Sequence, residues 1–303
     1  MITVGDGQLA YGTSLPIQTH STSWFEPWEA DAGPPELAAV ARAADRSGYL
    51  YVASCDHVAI PRHRAGQMST WWTDPMATLG WLAASTERTA LLSAVYVLAY
   101  RHARMAAKGF ATLDWLSGGR AVVGVGAGHL EEEFALLGVS HADRGRLTDE
   151  GLVGLAEALE HTWIDDLGAE PRPVQRPRPP IWVGGSSRPA VRRAARWDGW
   201  IPQGPATVEA VDALRVEREA LGLADRPFAV NHLFVPALYV GTPPEEVLRP
   251  CLGGPPEQVA AQVLAGTPAG VNVVQVHFRA RDGAEYAEQV ERFGTEVGPL
   301  LRR

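Results

Sequence analysis

Short apolar runs alternate with amphipathic segments along almost the whole chain. Each run has the length of a buried strand, and the segment after it repeats its apolar residues every three or four positions, as a helix packed on one face does. The runs predict eight strands, at residues 9–17, 49–54, 89–99, 120–125, 181–183, 197–202, 228–240 and 270–278. The intervening segments predict helices at 35–47, 74–85, 104–116, 145–161, 188–196, 207–221 and 255–265, and a closing helix marked by Tyr286, Val290, Phe293 and Val297.

The number of strands decides between two α/β architectures. A doubly wound sheet has about five to seven parallel strands, whereas a closed (β/α)₈ barrel needs eight in roughly 250 residues or more. The sequence therefore predicts a single (β/α)₈ barrel domain, a TIM barrel, over residues 1–303. Insertion loops at 18–33 and 61–73 are expected at the mouth formed by the carboxyl ends of the strands, where such barrels carry their chemistry.

Composition limits the classes of partner. With 46% hydrophobic residues the chain can bury a full core, and its net charge of -8 argues against nucleic acid or an anionic membrane as the main partner. No apolar run approaches the ~20 residues that span a bilayer, and the N-terminus lacks a secretory pattern. We therefore expect a soluble, cytoplasmic protein that acts on a small molecule.

The cysteines and histidines do not form a metal-binding pattern. Cys55 and Cys251 are the only cysteines, so no disulfide framework and no structural zinc site is implied, and each is expected to be a small buried hydrophobe. His-x-His and His-Glu-x-x-His are absent, as is the Gly-x-Ser-x-Gly of serine hydrolases. No metal site is predicted.

The fifth predicted strand runs directly into two glycines, two serines and a helix. Gly184, Gly185, Ser186 and Ser187 form this turn, and Pro189 lies in the first turn of the helix. Backbone N–H groups at a helix start, next to small residues, suit a phosphate group. An ordinary turn with a serine N-cap explains the same residues equally well.

The fourth predicted strand ends in alternate glycines. Gly124, Gly126 and Gly128 lack the third glycine of the dinucleotide-binding fingerprint, and His129 follows. The small residues fit either a flat ring that approaches the backbone or tight packing within the barrel. The glutamates at 131–133 are expected to form a solvated helix start, where the helix dipole favours negative charge.

Asp56 and His57 close the second predicted strand and should lie at the mouth. An isolated histidine is usually structural, but an adjacent carboxylate could orient the imidazole or raise its basicity, which suits proton transfer near neutral pH. The aromatic residues of the two insertion loops suggest an apolar substrate wall or, alternatively, a satellite core. These residues are Trp24, Phe25, Trp28, Trp71 and Trp72.

Three longer motifs resemble the luciferase-like monooxygenase superfamily, and within it the oxidoreductases that use the deazaflavin coenzyme F420. The most specific motif is Arg101-His102 with the segment 108–120, Lys-Gly-Phe-Ala-Thr-Leu-Asp-Trp-Leu-Ser-Gly-Gly-Arg, followed by the glycine-rich segment 123–128. The others are Pro-Pro-Ile-Trp-Val-Gly-Gly-Ser at 179–186 with Trp-Asp-Gly-Trp at 197–200, and Asp-His-Val-Ala-Ile-Pro at 56–61. The resemblance covers nearly the whole chain.

The resemblance implies a luciferase-like barrel, often a homodimer, with an isoalloxazine-like ring at the mouth. The turn of Gly184, Gly185, Ser186 and Ser187 would bind the phosphate of the ribityl tail. Ala94 and Val95, after Ser93, match the position of a non-proline cis peptide that backs the ring, and Gly126, Gly128 and His129 line the same mouth. His57 matches the histidine assigned to cofactor binding or proton transfer, with Asp56 beside it. Ala94 and Ala103 depart from the usual residues, which leaves the substrate open.

The resemblance implies hydride transfer between carbon 5 of F420 and a small organic substrate. One alternative is an FMN-dependent monooxygenase that uses reduced flavin and oxygen. Another is a non-catalytic barrel that binds a ligand or a partner. If the glycine turn binds phosphate, Gly185→Val is expected to weaken cofactor binding far more than folding.

Overall fold

Eight parallel strands close into a barrel in the computed structural model, which describes residues 8–22, 25–247 and 249–302. The strands are β1 (Ala10–Ser14), β2 (Tyr51–Ser54), β3 (Ala90–Ser93), β4 (Ala121–Gly126), β5 (Ile181–Gly184), β6 (Gly199–Ile201), β7 (Ala229–Leu233) and β8 (Val273–Val276). Each strand pairs with the next, for example β3 with β4 through Leu91 and Ala121, and β8 closes on β1 through Val273 and Ala10. The (β/α)₈ barrel is confirmed.

Helices surround the barrel and begin at the residues that cap them. Asp74 and Asp282 each accept a hydrogen bond from a backbone N–H three residues later, which fixes the starts of two helices. The helices are α1 (Pro34–Arg46), α2 (Ala65–Met68), α3 (Pro75–Ala83), α4 (Ala103–Leu116), α5 (Glu131–Leu136), α6 (Arg144–Glu160), α7 (Arg188–Ala194), α8 (Val208–Ala220), α9 (Pro256–Gly266) and α10 (Gly283–Arg292). None of the helices among the described residues is long and apolar enough to cross a bilayer.

Two aromatic rings fill the barrel interior. Tyr51 and Trp182 meet edge to face with their centroids 5.8 Å apart, and both are buried. Glycines make room for them: a Cβ at Gly12 would lie 2.4 Å from Cζ of Tyr51, and one at Gly199 would lie 2.4 Å from Cδ1 of Trp182. Larger residues at these two positions would displace the rings.

Two strands end earlier than predicted. The strand expected at 89–99 ends at Ser93; a cis peptide joins Ala94 to Val95, and Tyr96–Val97 pairs with the end of β4. The strand expected at 228–240 ends at Leu233, because Pro236 has no N–H to continue the ladder. The chain resumes as Ala237–Val240, which pairs outside the barrel with Cys251–Gly254.

The segment 108–120 holds the amino-terminal side of the barrel together. The buried Asp114 carboxylate accepts hydrogen bonds from the Ala121 N–H and from the backbone and side chain of Gln175, so it fastens the proline-rich loop 165–180 to α4. Arg120 donates to the carbonyls of Ala83, Thr86 and Thr89 at the end of α3. These two residues are structural and lie at the opposite end from the mouth.

Candidate active site

Most of the predicted site residues lie at one rim of the barrel. His57, Ala94, Val95, Gly126 and Gly184 all follow or end parallel strands, and the carboxyl ends of parallel strands share one side of a closed barrel. The ring of His57 meets the ring of His129 edge to face at 5.4 Å. Val95 contacts the positions of both Gly126 and Gly184. The structure therefore brings the ends of β2, β3, β4 and β5 together, as the sequence predicted.

A buried carboxylate holds His57, and it comes from α5. Nδ1 of His57 donates to Oε2 of Glu133 at 3.0 Å. The His57 side chain is 12% exposed and the Glu133 side chain 1%. No protein group described in the structure bonds to Nε2, so this nitrogen is available to a ligand. A carboxylate on Nδ1 fixes the neutral imidazole in the tautomer whose Nε2 accepts a proton.

Four donors hold the Glu133 carboxylate. The N–H groups of Val58 and Ala59 donate to Oε1 at 2.6 and 3.1 Å, and the hydroxyl of Tyr100 joins His57 on Oε2 at 3.0 Å. Burial acts to raise the pKa of Glu133, but the hydrogen bonds from His57 and these backbone groups outweigh it, and the pKa lies below its ordinary value. Glu133 is thus an ionised, fixed partner for the imidazole.

The prediction that all three glutamates at 131–133 are solvated is wrong for Glu133. Glu131 and Glu132 are exposed, whereas Glu133 faces inward with Leu130 and Phe134. The helical period contains the signal: residues three and four apart share one face, and Leu130, Glu133 and Phe134 fall on the apolar face of α5. A carboxylate buried on that face requires hydrogen-bond donors, and the ring of His57 and the backbone N–H groups of Val58 and Ala59 supply them.

Asp56 does not orient His57, contrary to the expectation from their adjacency. Its buried carboxylate forms a two-pronged ion pair with Arg101 at 2.5 and 2.9 Å and accepts from the N–H of Val97 at 2.8 Å. The guanidinium of Arg101 lies over the ring of Tyr96, 4.2 Å from its centroid. Successive side chains leave a strand end in opposite directions, so Asp56 and His57 reach different partners. Through these contacts Asp56 connects the segment that carries His57 to the segment after β3.

Tight packing explains the glycines that end β4 and β5. A Cβ on Gly126 would lie 2.3 Å from Cγ2 of Val95, and one on Gly184 would lie 2.5 Å from Cγ1 of Val95. The Val95 side chain therefore covers both backbones. Of the two interpretations of the glycine pattern, packing holds at Gly126 and Gly184, because Val95 occupies the space beside both backbones.

Ser93 and Gly128 also have structural roles. The hydroxyl of Ser93 is fully buried; it donates to the carbonyl of Gly124 at 2.9 Å and accepts from the Gly124 N–H at 3.0 Å. Gly128 has a left-handed φ of +76°, and a Cβ there would lie 2.8 Å from Val97. The turn at Gly128 places the ring of His129 against the ring of His57. Ser93 offers its side chain to no ligand.

The turn after β5 is exposed at the rim, and its side chains are engaged locally. Gly185 has a φ of +118°, and its carbonyl accepts from Nε1 of Trp200 at 2.7 Å. Ser186 exchanges hydrogen bonds with the backbone of Gln203, and Ser187 caps α7 through the N–H of Ala190. The serine N-cap is therefore present, and an anion at this turn would meet backbone N–H groups rather than free hydroxyls.

A cavity of about 200 Å³ opens on the other side of the same rim, at the ends of β1, β2 and β8. Trp72 and Ala94 line the cavity, and His57 adjoins it through Trp72, whose ring meets the His57 ring at 4.4 Å. Glu29, Cys55 and the segment after β1 line the rest. Cys55 and Cys251 are free thiols of intermediate burial, so both are less buried than the small buried hydrophobes expected from the sequence.

The aromatic residues of the insertion loops divide between the two predicted roles. Trp72 lines the cavity, whereas Trp28 packs on Tyr286 as part of the core margin. Phe25 and Trp71 flank the ring of His20 at 4.7 and 5.3 Å. Trp24 lies outside the described residues. Of the four that the structure describes, Trp72 lies in the expected wall.

These features fit a flat tricyclic ring with a polar tail. Val95 presents an apolar support made of two methyl groups over glycine backbones, with the cis peptide to Ala94 on one side. His57 places a nitrogen of fixed tautomer on the same rim, and the exposed turn of Gly185 and Ser186 lies beyond Gly184. Chemically, the arrangement can support a ring and exchange one proton at Nε2 of His57.

Comparisons with known proteins match the chain to a family model and to a curated relative. A family model described as luciferase-like monooxygenase matches residues 14–249. The FMNH(2)-dependent dimethylsulfone monooxygenase of Pseudomonas putida is 31% identical over 205 residues, which are 61% of this chain and 54% of that protein. The chain therefore spans about half the length of this curated relative.

Solved structures repeat the fold over the whole chain. The monooxygenase RslO1 from Streptomyces bottropensis superposes with a TM-score of 0.77 at 20% identity, covering 96% of this chain and 99% of that one. The coenzyme F420-dependent tetrahydromethanopterin reductase from Methanopyrus kandleri gives 0.70 at 17% identity, covering 97% and 100%. These likenesses show the barrel architecture. Together with the match over residues 14–249, they lead to one conclusion: the chain belongs to the luciferase-like monooxygenase family.

Proposed function

We propose that this protein is an F420-dependent oxidoreductase that transfers a hydride between the deazaflavin and a small organic substrate. The observation that carries the proposal is the hydrogen bond from Nδ1 of His57 to the buried Glu133 carboxylate at 3.0 Å. Hydride transfer to a carbonyl carbon requires a proton at its oxygen, and the reverse reaction requires its removal. An imidazole of fixed tautomer at the rim meets that need.

His57 exchanges this proton at Nε2. In the reduction, the imidazolium donates from Nε2 while Glu133 stabilises the charge at Nδ1; in the oxidation, neutral Nε2 accepts the proton. Glu133 is a positioning residue, because it lies behind the imidazole and acts through it. Trp72 and His129 flank the imidazole edge to face and restrict its rotation.

Three rim features would hold the cofactor. Ala94 and Val95 would back the ring, and the turn of Gly185, Ser186 and Ser187 would take the phosphate of the tail through its backbone. When bound, the deazaflavin supplies a hydride donor or acceptor at its carbon 5. The protein fixes the relative geometry of ring, substrate and His57, which accounts for much of the rate enhancement in such reactions.

A cofactor titration with matched histidine variants tests the proposal. F420 should bind the purified protein with a change in its absorption spectrum, and His57→Ala should abolish that change. His63→Ala is the control, because the His63 side chain is 66% exposed. Tight FMN binding with no F420 binding would refute the F420 assignment, and identical spectra for wild type and His57→Ala would remove His57 from the ring.

An FMN-dependent monooxygenase is the second candidate, and the matched Pseudomonas putida enzyme favours it because its name describes an FMNH(2)-dependent reaction. Oxygen consumption separates the two candidates. Rapid oxygen uptake with reduced FMN and a substrate indicates the monooxygenase; anaerobic turnover with F420 indicates hydride transfer. Absence of both cofactor affinities would identify a non-catalytic barrel.

A further inference from the structure

The cavity beside the rim adjoins the surface assigned to the cofactor, and the two meet at Ala94. Ala94 lines the cavity, whereas its neighbour Val95 covers the glycines of β4 and β5. A molecule in the cavity would therefore lie next to a ring supported by Val95. With a volume of about 200 Å³, the cavity is smaller than the ~300–1,000 Å³ pockets that hold drug-sized ligands, and it therefore suits a small organic molecule.

Three polar residues of the cavity wall bind one another. Nε2 of Gln18 donates to the hydroxyl of Ser14 at 2.7 Å, and Oε1 of Gln18 accepts from the N–H of Cys55 at 2.7 Å. These bonds join the ends of β1 and β2. The remaining wall combines apolar and polar side chains; it includes Leu15, Trp72, Phe278, Thr19, Gln275 and His277.

Among the described residues that line the cavity, Glu29 is the only acidic one. Its buried carboxylate accepts the N–H of Ile17 at 2.6 Å and the N–H of Glu26 at 2.8 Å. Burial raises the pKa of Glu29 to about 7, against the lowering effect of these two hydrogen bonds. At pH 8 the carboxylate is therefore mostly ionised, and it carries negative charge into the cavity.

No lysine or arginine lines the cavity among the described residues. The nearby cations Arg279 and Arg249 pair with Glu26 instead. His277 lines the cavity, but burial, followed by the charge of Arg279, lowers its pKa to about 3, so it is neutral. An anion in the cavity would meet a carboxylate and no compensating positive charge, which is unfavourable at low dielectric.

We propose that this cavity is the substrate site, that it takes a small uncharged alcohol or carbonyl compound, and that Glu29 excludes anionic molecules of the same size. The inference rests on the proposed hydride-transfer function for the alcohol or carbonyl class. The size limit and the exclusion of anions follow from the cavity itself. Sugar phosphates and carboxylate substrates are thereby excluded.

Two ligands with the same number of non-hydrogen atoms, one neutral and one anionic, test the inference. Cyclohexanone and cyclobutanecarboxylate are titrated at pH 8 into ¹⁵N-labelled protein, alone and with F420 bound, and the indole N–H signals are followed by NMR. Cyclohexanone should shift the signal of Trp72, identified with Trp72→Phe, and leave that of Trp163 unchanged, because Trp163 is exposed and does not line the cavity. Cyclobutanecarboxylate should bind at least about tenfold more weakly, about 1.4 kcal/mol.

A charge variant assigns the exclusion to Glu29. Glu29→Gln should reduce the difference between the two ligands by about fivefold or more, whereas Glu219→Gln, on the exposed face of α8, should leave it unchanged. Equal affinity of wild type for both ligands overturns the inference, as does failure of cyclohexanone to shift Trp72 in either state. The wild-type comparison holds even if Glu29→Gln does not fold.

The same titrations distinguish failure of the proposed function from failure of the cavity inference. If the protein does not bind F420 but binds cyclohexanone at Trp72 with the expected preference, the cavity assignment stands and the cofactor assignment fails. If F420 binds and neither ligand reaches Trp72, the cofactor assignment stands and the cavity inference fails.

Discussion

Nδ1 of His57 and the carboxylate of Glu133 meet at 3.0 Å, although the two residues are 76 positions apart in the sequence. The pair joins the end of β2 to the helix after β4, and Val58 and Ala59 bind the same carboxylate. Both the position of the imidazole and its proton arrangement therefore depend on one buried side chain.

Replacing Glu133 with glutamine should damage catalysis and change the pH dependence of stability. The amide accepts fewer hydrogen bonds, so donors among Val58, Ala59, His57 and Tyr100 lose their partner, and we expect a loss of about 1–3 kcal/mol in the free energy of unfolding. Turnover should fall by about tenfold to 100-fold, because the imidazole loses its orientation. Glu132→Gln, at an exposed neighbour, should change neither quantity.

The pH dependence follows from the lowered pKa of Glu133. A carboxyl group whose folded pKa is depressed stabilises the fold above its unfolded pKa, and that stabilisation is lost as pH falls through the folded pKa. The difference in unfolding free energy between wild type and Glu133→Gln should therefore be constant near neutral pH and shrink in acid. A difference that grows as pH falls would contradict the ionised carboxylate.

Asp56→Asn should behave as a structural variant. Removing one partner of a buried ion pair leaves the charge of Arg101 uncompensated, and we expect a loss of up to about 3 kcal/mol in the free energy of unfolding. Asp149→Asn is the control: its partner is Arg193, but the Asp149 side chain is 60% exposed, so less than about 1 kcal/mol is expected. Denaturant unfolding measures both. Normal stability combined with abolished activity would contradict this structural role and would indicate that Asp56 takes part in the reaction.

The contact of Val95 with the glycines predicts a non-additive pair of substitutions. Gly184→Ala should destabilise the fold by about 1–3 kcal/mol, because the new methyl group overlaps Val95. In the Val95→Ala background the same change should cost much less. Chemical denaturation of wild type, the two single variants and the double variant gives the coupling free energy between the two positions. Additive losses would mean that Val95 does not fill the space above Gly184.

The phosphate assignment needs a substitution that leaves the turn intact, and Gly185→Val does not. Gly185 has a left-handed φ of +118°, and a Cβ would lie 2.9 Å from Ala190, so valine weakens folding as well as binding. Ser187→Asp is sharper, because aspartate caps a helix as well as serine does but adds negative charge. F420 affinity should fall by about tenfold with Ser187→Asp and change little with the uncharged Ser187→Asn. Equal affinities would place the phosphate elsewhere.

The sequence predicted the barrel well because its pattern is local. Apolar runs and amphipathic segments report which faces are buried, and strand ends such as Asp56-His57 locate the mouth. Contacts between distant residues are not encoded in this pattern. Adjacency favoured Asp56 as the partner of His57, whereas the partner is Glu133, and the helical face shared with Leu130 and Phe134 was the available signal. The glycines at 126 and 184 fitted two interpretations until Val95 was located above them.

Transfer of deuterium tests the central claim most directly. F420 reduced with deuterium at carbon 5 is mixed anaerobically with the protein and cyclohexanone, and the product is analysed by mass spectrometry. The account predicts cyclohexanol with one deuterium on the carbinol carbon, formed by wild type and His63→Ala and at least about 100-fold more slowly by His57→Ala. No deuterium transfer to any small uncharged carbonyl compound, together with oxygen-consuming turnover on reduced FMN, would contradict it.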